Sequence, residues 1–201
     1  MVRISDDHAG PVVDRQAYVS ATAVLRGAVR VAAGACVMDG AVLTADGGPV
    51  DVGEHCVVME HAVLRGTRRH PLLLGPRVLV GPGAHLSGCT VEEGAFLATG
   101  SAIFNGARIC RRAEVRIHGV VHVNSVLAED AVVPIGWVAV GDPAECFPPG
   151  EHDRIWPIQR SMDFRGTVWG ASREVPRETL IERYARALVR WRASEAPTDD
   201  G

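Results

Sequence analysis

The chain has 201 residues, a formal net charge of −3 and a pI near 6.2, so it offers no excess of positive charge for nucleic acid or an anionic membrane surface. All 21 basic residues are arginine, which excludes a Schiff-base enzyme, a pyridoxal-phosphate enzyme built on its own lysine and a lysine-bearing phosphate loop. The five cysteines, Cys36, Cys56, Cys89, Cys110 and Cys146, form no CxxC pair and read as buried free thiols; with no signal pattern and no long apolar run, the expectation is a cytoplasmic protein with no membrane partner.

Residues 1–16 lack a clear period and are expected to be a lead-in. From 17 to 144 an aliphatic residue returns about every sixth place: Val19, Leu25, Val31, Val37 and Leu43, then Val52, Val58 and Leu64, then Leu74, Val80, Leu86, Val91, Leu97, Ile103, Ile109, Val115, Val121, Leu127 and Val133. Strands alternate at two and helices return near 3.6, whereas a period of six belongs to a β-solenoid whose three flat faces carry one hexapeptide each. The fold class expected is therefore an all-β solenoid, a parallel β-helix whose inward aliphatic residues stack in columns at the strand spacing of about 4.8 Å. The register slips after Leu43, after Leu64 and, by one residue, between Leu86 and Val91. Slips become corner loops, where such scaffolds carry chemistry.

Pro134 and the turn at Gly141–Pro143 stop the sheet and cap the open end. Residues 145–176 contain Phe147, Pro148, Pro149, Trp156, Pro157, Phe164 and Trp169 and are expected to wrap along the prism in extended form. Over 177–193, Leu180, Ile181, Tyr184, Leu188 and Trp191 fall on one stripe at helical spacing, and Glu182 and Arg186 form an i,i+4 pair. This predicts an amphipathic α-helix packed along the solenoid, followed by a frayed tail over 194–201. The tryptophans read as glue between wrap, helix and prism rather than as a lid over a ligand.

The stretch ACVMDGAVLTADGGPVDVGEHCVVMEHAVLRG (35–66), the following HPLLLGPRVLVGPGAHLSGCTVEEGAFLATGS (70–101) and the later PIGWVAVGDPA resemble the γ-class carbonic anhydrases over roughly residues 17–145. The resemblance implies a left-handed parallel β-helix and a homotrimer, with zinc or iron held between subunits by three histidines. Carried over residue by residue, those positions are Arg65, Pro82 and Ser87. A permanent cation, a side chain with no donor atom and a hydroxyl do not make a zinc site. No metal and no other cofactor is therefore expected. Of the family's supporting residues, Asp46 remains after Thr44 and Ala45, and Glu60 remains of the Asn-x-Gln-Asp step.

What the family places in a column thereby becomes Thr44, Arg65 and Ser87, following the inward Leu43, Leu64 and Leu86. A fixed guanidinium there suits a carboxylate or acyl anion, with Ser87 adding a hydroxyl and Asp46 or Glu60 either holding Arg65 or acting as acid and base. A repurposed metal-independent lyase or hydrolase is one reading. A CoA-dependent acyltransferase is another, with His70 in the loop TRRHP as general base and Arg68 and Arg69 as anion contacts. A third is a structural subunit without catalysis. The expected partners are a second and third copy of the chain and a small-molecule anion.

Overall fold

The computed structural model describes residues 10–194. The six-residue period becomes geometry directly: strands of two to five residues alternate among three sheets of seven, seven and eight strands, and every strand but the last pairs in parallel with its neighbours one coil away. The result is a left-handed parallel β-helix of about seven coils. Leu43, Leu64, Leu86, Leu97, Ile103 and Ile109 are completely buried, and Leu25, Leu43, Leu64, Leu86 and Ile103 stand in register through the third sheet. Each such side chain contributes about 1.5–3 kcal/mol when withdrawn from water, so no globular core is needed.

The first strand begins earlier than the period predicts. Val12–Val13, in the expected lead-in, pairs with Val29–Val31; two residues are too few to show a period. Residues 1–9 and 195–201, the rest of the lead-in and nearly all of the expected tail, lie outside the described residues. Cys56 and Cys89 are buried, whereas Cys36, Cys110 and Cys146 are only half-buried; all five are free thiols.

The register slips after Leu43 and Leu64 are stacked corner loops. The strands Val42–Asp46 and Val63–Thr67 each run to five residues, their registers match from Val42–Val63 to Asp46–Thr67, and Gly47 bridges Thr67 in antiparallel fashion. The other corners use the left-handed backbone region, filled by glycine on some coils and by His55, His61 and His118 on others. A Cβ on Gly40 would come within 2.4 Å of His61 Nδ1, and one on Gly100 equally close to His118 Nδ1. These imidazoles thus lie over the glycine of the coil before and have a local structural reason to be there.

The expected extended wrap over 145–176 is corrected by the structure. Ala144–Phe147 turns back antiparallel on Val138–Gly141 to close the prism, and two helices follow: α1, His152–Ser161, and α2, Phe164–Trp169. Helix α1 forms despite Pro157 because Ile155 joins Val140 and Phe147 in a small separate core, and burial of such a face outweighs a local breaker. Asp153 in its first turn and Arg160 in its last complement the helix dipole. In α2 the Asp163 side chain accepts from the Gly166 amide as an N-cap. Helix α3, Arg177–Ser194, begins where the sequence predicts and ends one residue later. The chain divides into two compact units after Met162, with α2 and α3 in the second. There Leu180 is buried, while Ile181, Tyr184 and Leu188 are exposed in the single chain.

Candidate functional site

Four strands of the third sheet lie side by side: Val24–Arg26, Val42–Asp46, Val63–Thr67 and His85–Ser87. Their leucines point inward, so alternation turns the next residue of each outward. Arg26 stands opposite Thr44, Thr44 opposite Arg65, and Arg65 opposite Ser87. The expected column is therefore present, one strand spacing per step, with Arg26 as a further member at its lower end.

Asp46, two residues past Thr44 and on the same side of its strand, brings Oδ2 to 3.0 Å from Arg65 Nε. The Arg65 side chain is 37% exposed, so its guanidinium still reaches solvent. Thr44 and Ser87 are 6% and 8% exposed. Both Thr44 Oγ1 and Asp46 Oδ1 are buried without a hydrogen-bond partner among the described residues, and a buried polar atom in that condition costs about 1–3 kcal/mol.

The other candidates lie elsewhere. Glu60 turns the corner before the Val63–Thr67 strand, its carbonyl accepting from the Gly83 amide; the acid brought to Arg65 is Asp46. Arg68, Arg69 and His70 form the loop after that strand. The loop is fixed by Thr67, whose amide and hydroxyl both donate to the His70 carbonyl while its hydroxyl accepts from Asn105 Nδ2 at 3.2 Å. A Cβ on Gly88 would lie 2.7 Å from His70 Cβ, so His70 stands at the corner one residue past Ser87. Burial, and secondarily the charge of Arg69, lowers its pKa and favours the neutral ring.

His85 was not among the sequence candidates, yet it faces outward two residues before Ser87 on the same strand and stands opposite Val63. Its ring centroid is 6.4 Å from that of Phe104. Burial lowers its pKa, and the positive charge of Arg65 lowers it further. Strand alternation around Ser87 was the signal that could have found it. His122 is buried and hydrogen-bonds Gln159 of α1 at 2.9 Å; the helix that covers it falls where the sequence suggested an extended wrap.

Zinc does not fit here. Arg65, Pro82 and Ser87, where the resemblance would put the metal ligands, offer a permanent charge, no donor atom and a hydroxyl, and among the described residues no group of three or more His, Cys, Asp or Glu is gathered to hold a metal ion. A groove of about 810 Å³ runs over the first sheet past Asp51, Leu73, Thr90 and Arg108. Its arginines are taken up by facing acids, Arg108 by Glu92 and Arg111 by Glu129. It lies on a different face from the Arg65 column. No described helix is long and apolar enough to cross a membrane.

No family model matches the chain. It is 29% identical over 140 residues to gamma carbonic anhydrase 1, mitochondrial, of Arabidopsis thaliana, a match covering 67% of this chain and 49% of that protein. It is 33% identical over 95 residues to gamma carbonic anhydrase 3, mitochondrial, of the same plant, covering 44% and 37%. The chain thus spans about half the length, or less, of these relatives. Among solved structures, a hexapeptide transferase family protein from Anaplasma phagocytophilum superposes with a TM-score of 0.43 at 22% identity, covering 76% of this chain and 87% of that one.

Proposed function

Because the chain has the γ-carbonic-anhydrase-like fold of the hexapeptide left-handed β-helix superfamily without a clear metal-binding triad, we propose that it is a homotrimer whose site between subunits binds, or acts on, a small carboxylate or acyl anion without metal. Arg65 is the anion contact. Asp46 holds its Nε edge, and Thr44 and Ser87 supply hydroxyls from the coils on either side. The observation that carries this reading is the buried Thr44 hydroxyl, without a hydrogen-bond partner among the described residues, in register with the partly exposed Arg65 side chain. A carboxylate on Arg65 accepts from the Thr44 hydroxyl as well, since it takes several donors at once.

The third sheet supports assembly on this face. Beside the column runs an outward row of Val24, Val42, Val63, Ala102, Val120 and Val138, interrupted only by His85, and an apolar row of this kind is suited to burial against another copy.

Calorimetry with formate tests the reading. Arg65→Ala should weaken binding by about tenfold or more, since a hydrogen bond to a charged group is worth about 1.5–3 kcal/mol. Equal affinity for wild type and Arg65→Ala, with the assembly unchanged, would remove the site. A second reading, CoA-dependent acyl transfer, is favoured by the half-buried His70 beside Arg69, whose pKa burial and that charge lower. There His70 would serve as general base and Arg68 and Arg69 as contacts for the phosphates of CoA.

A further inference from the structure

His85 is a titratable group that the anion-binding reading leaves without a part, and it sits closer to the column than chance placement on a seven-coil prism requires. It shares a strand and a face with Ser87, two residues away, and lies diagonal to Arg65 across the strand pair, a separation of about 7–8 Å between Cα atoms that long side chains bridge. Arg65 faces it from the Val63–Thr67 strand, with Asp46 behind that guanidinium. From the other side Ala102 stands opposite in register and Phe104 lies against the ring; neither titrates. The corner leading into its own strand is Gly81–Ala84, also without a titratable side chain, and the corner one coil below carries Glu60 and His61.

Resting on that reading of the site, we propose that His85 is the proton partner of the bound anion, so that a carboxylate arriving at Arg65 draws a proton from solvent onto the His85 imidazole. In the empty site the guanidinium opposes a second positive charge beside it. Asp46 already pairs with Arg65, so a carboxylate bound there brings a net negative charge within reach of the ring, and the imidazolium becomes the favoured form. Because half-burial leaves little water between the groups, the coupling is not screened away. Linkage is reciprocal: if the anion favours the proton, the proton favours the anion. Any reaction of the bound acyl group would then have a proton donor beside it, with Ser87 between donor and guanidinium.

The test is formate calorimetry on the full chain from about pH 7.5 to about pH 5.5, the range in which a histidine changes charge, in two buffers of different ionisation enthalpy. The variants are His85→Gln and Arg65→Ala. Wild type should bind about fivefold more tightly at the acid end and take up protons as it binds. His85→Gln, which cannot titrate, should match wild type at the alkaline end and stay flat to within about twofold. The His85 ring resonance, assigned by its loss in His85→Gln, should titrate at higher pH once formate is added. Flat wild-type affinity without proton uptake, while Arg65→Ala still loses binding, would overturn the coupling and leave the anion site standing. A His85→Gln protein that keeps the wild-type slope would overturn it too. No formate binding by wild type at any pH would take down both.

Discussion

Thr44→Val separates stability from function at one atom. Valine copies the shape of threonine, prefers strands at least as much and removes the hydroxyl that is buried without a partner among the described residues. An unsatisfied buried hydroxyl costs about 1–3 kcal/mol, and part of that is recovered when it is deleted. The variant should therefore be more stable than wild type by about 1 kcal/mol, equivalent to a rise of about 2–4 °C in Tm for a chain of this size. In the same protein, formate affinity should fall about threefold to tenfold, because a hydrogen bond to an ionised acceptor is lost. Thermal unfolding at matched protein concentration, which matters for an oligomer, and calorimetry on the same preparation give both numbers. A Thr44→Val protein that is less stable, with formate affinity unchanged, would show that the hydroxyl already has a satisfactory partner and does not face the ligand.

Light scattering at micromolar concentration should report three chains of 21.4 kDa each, about 64 kDa together; a monomer would dissolve the proposed interface. Acid should destabilise the protein through His70, His85 and His122, all held below their ordinary pKa of 6.5, chiefly by burial. Because the unfolded chain takes up protons that the folded one resists, their stabilising effect is complete above about pH 6.5 and lost as the pH falls through the lower folded values. Denaturation midpoints should decline over that range, less steeply in His122→Gln; a flat profile would contradict the burial of these rings.

The inward columns were legible because hexapeptide periodicity is a statement about the interior, and Leu64, Leu86 and Ile103 have no other reason to recur at that spacing. The Thr44, Arg65, Ser87 column was legible for a related reason: once the inward residue is known, alternation fixes its neighbour. Two things were hidden. Helix α1 escaped because Pro157 and the flanking prolines outweigh, in the sequence, an apolar face only as long as Ile155 and Ile158; its partners Val140 and Phe147 become neighbours only after the last strand folds back. His85 escaped because the period marks what points inward and is silent about which outward side chains of adjacent coils share a diagonal. The choice of Asp46 over Glu60 as partner of Arg65 was likewise open in the sequence. The five-residue strand brings Asp46 to Arg65, and the Glu60 carbonyl accepts in the turn before.

On the proposed reading, charge explains why an anion suits the position that the γ-carbonic anhydrase resemblance would give to a metal. Three neutral imidazoles around a divalent ion leave a net positive centre, and an anion or polarised oxygen is what such a centre attracts. In this chain the column carries Arg65, paired through Nε with Asp46, and Arg26 two coils below it. A guanidinium brings a positive charge to this position by other means. What differs is the chemistry the sign can support: a guanidinium neither lowers the pKa of a bound water nor exchanges ligands, whereas it fixes the plane and orientation of a carboxylate through paired donors. A site of this kind retains recognition of an anion and gives up activation of water, so any proton it moves has to come from a side chain, and the titratable ring set beside Arg65 is that of His85.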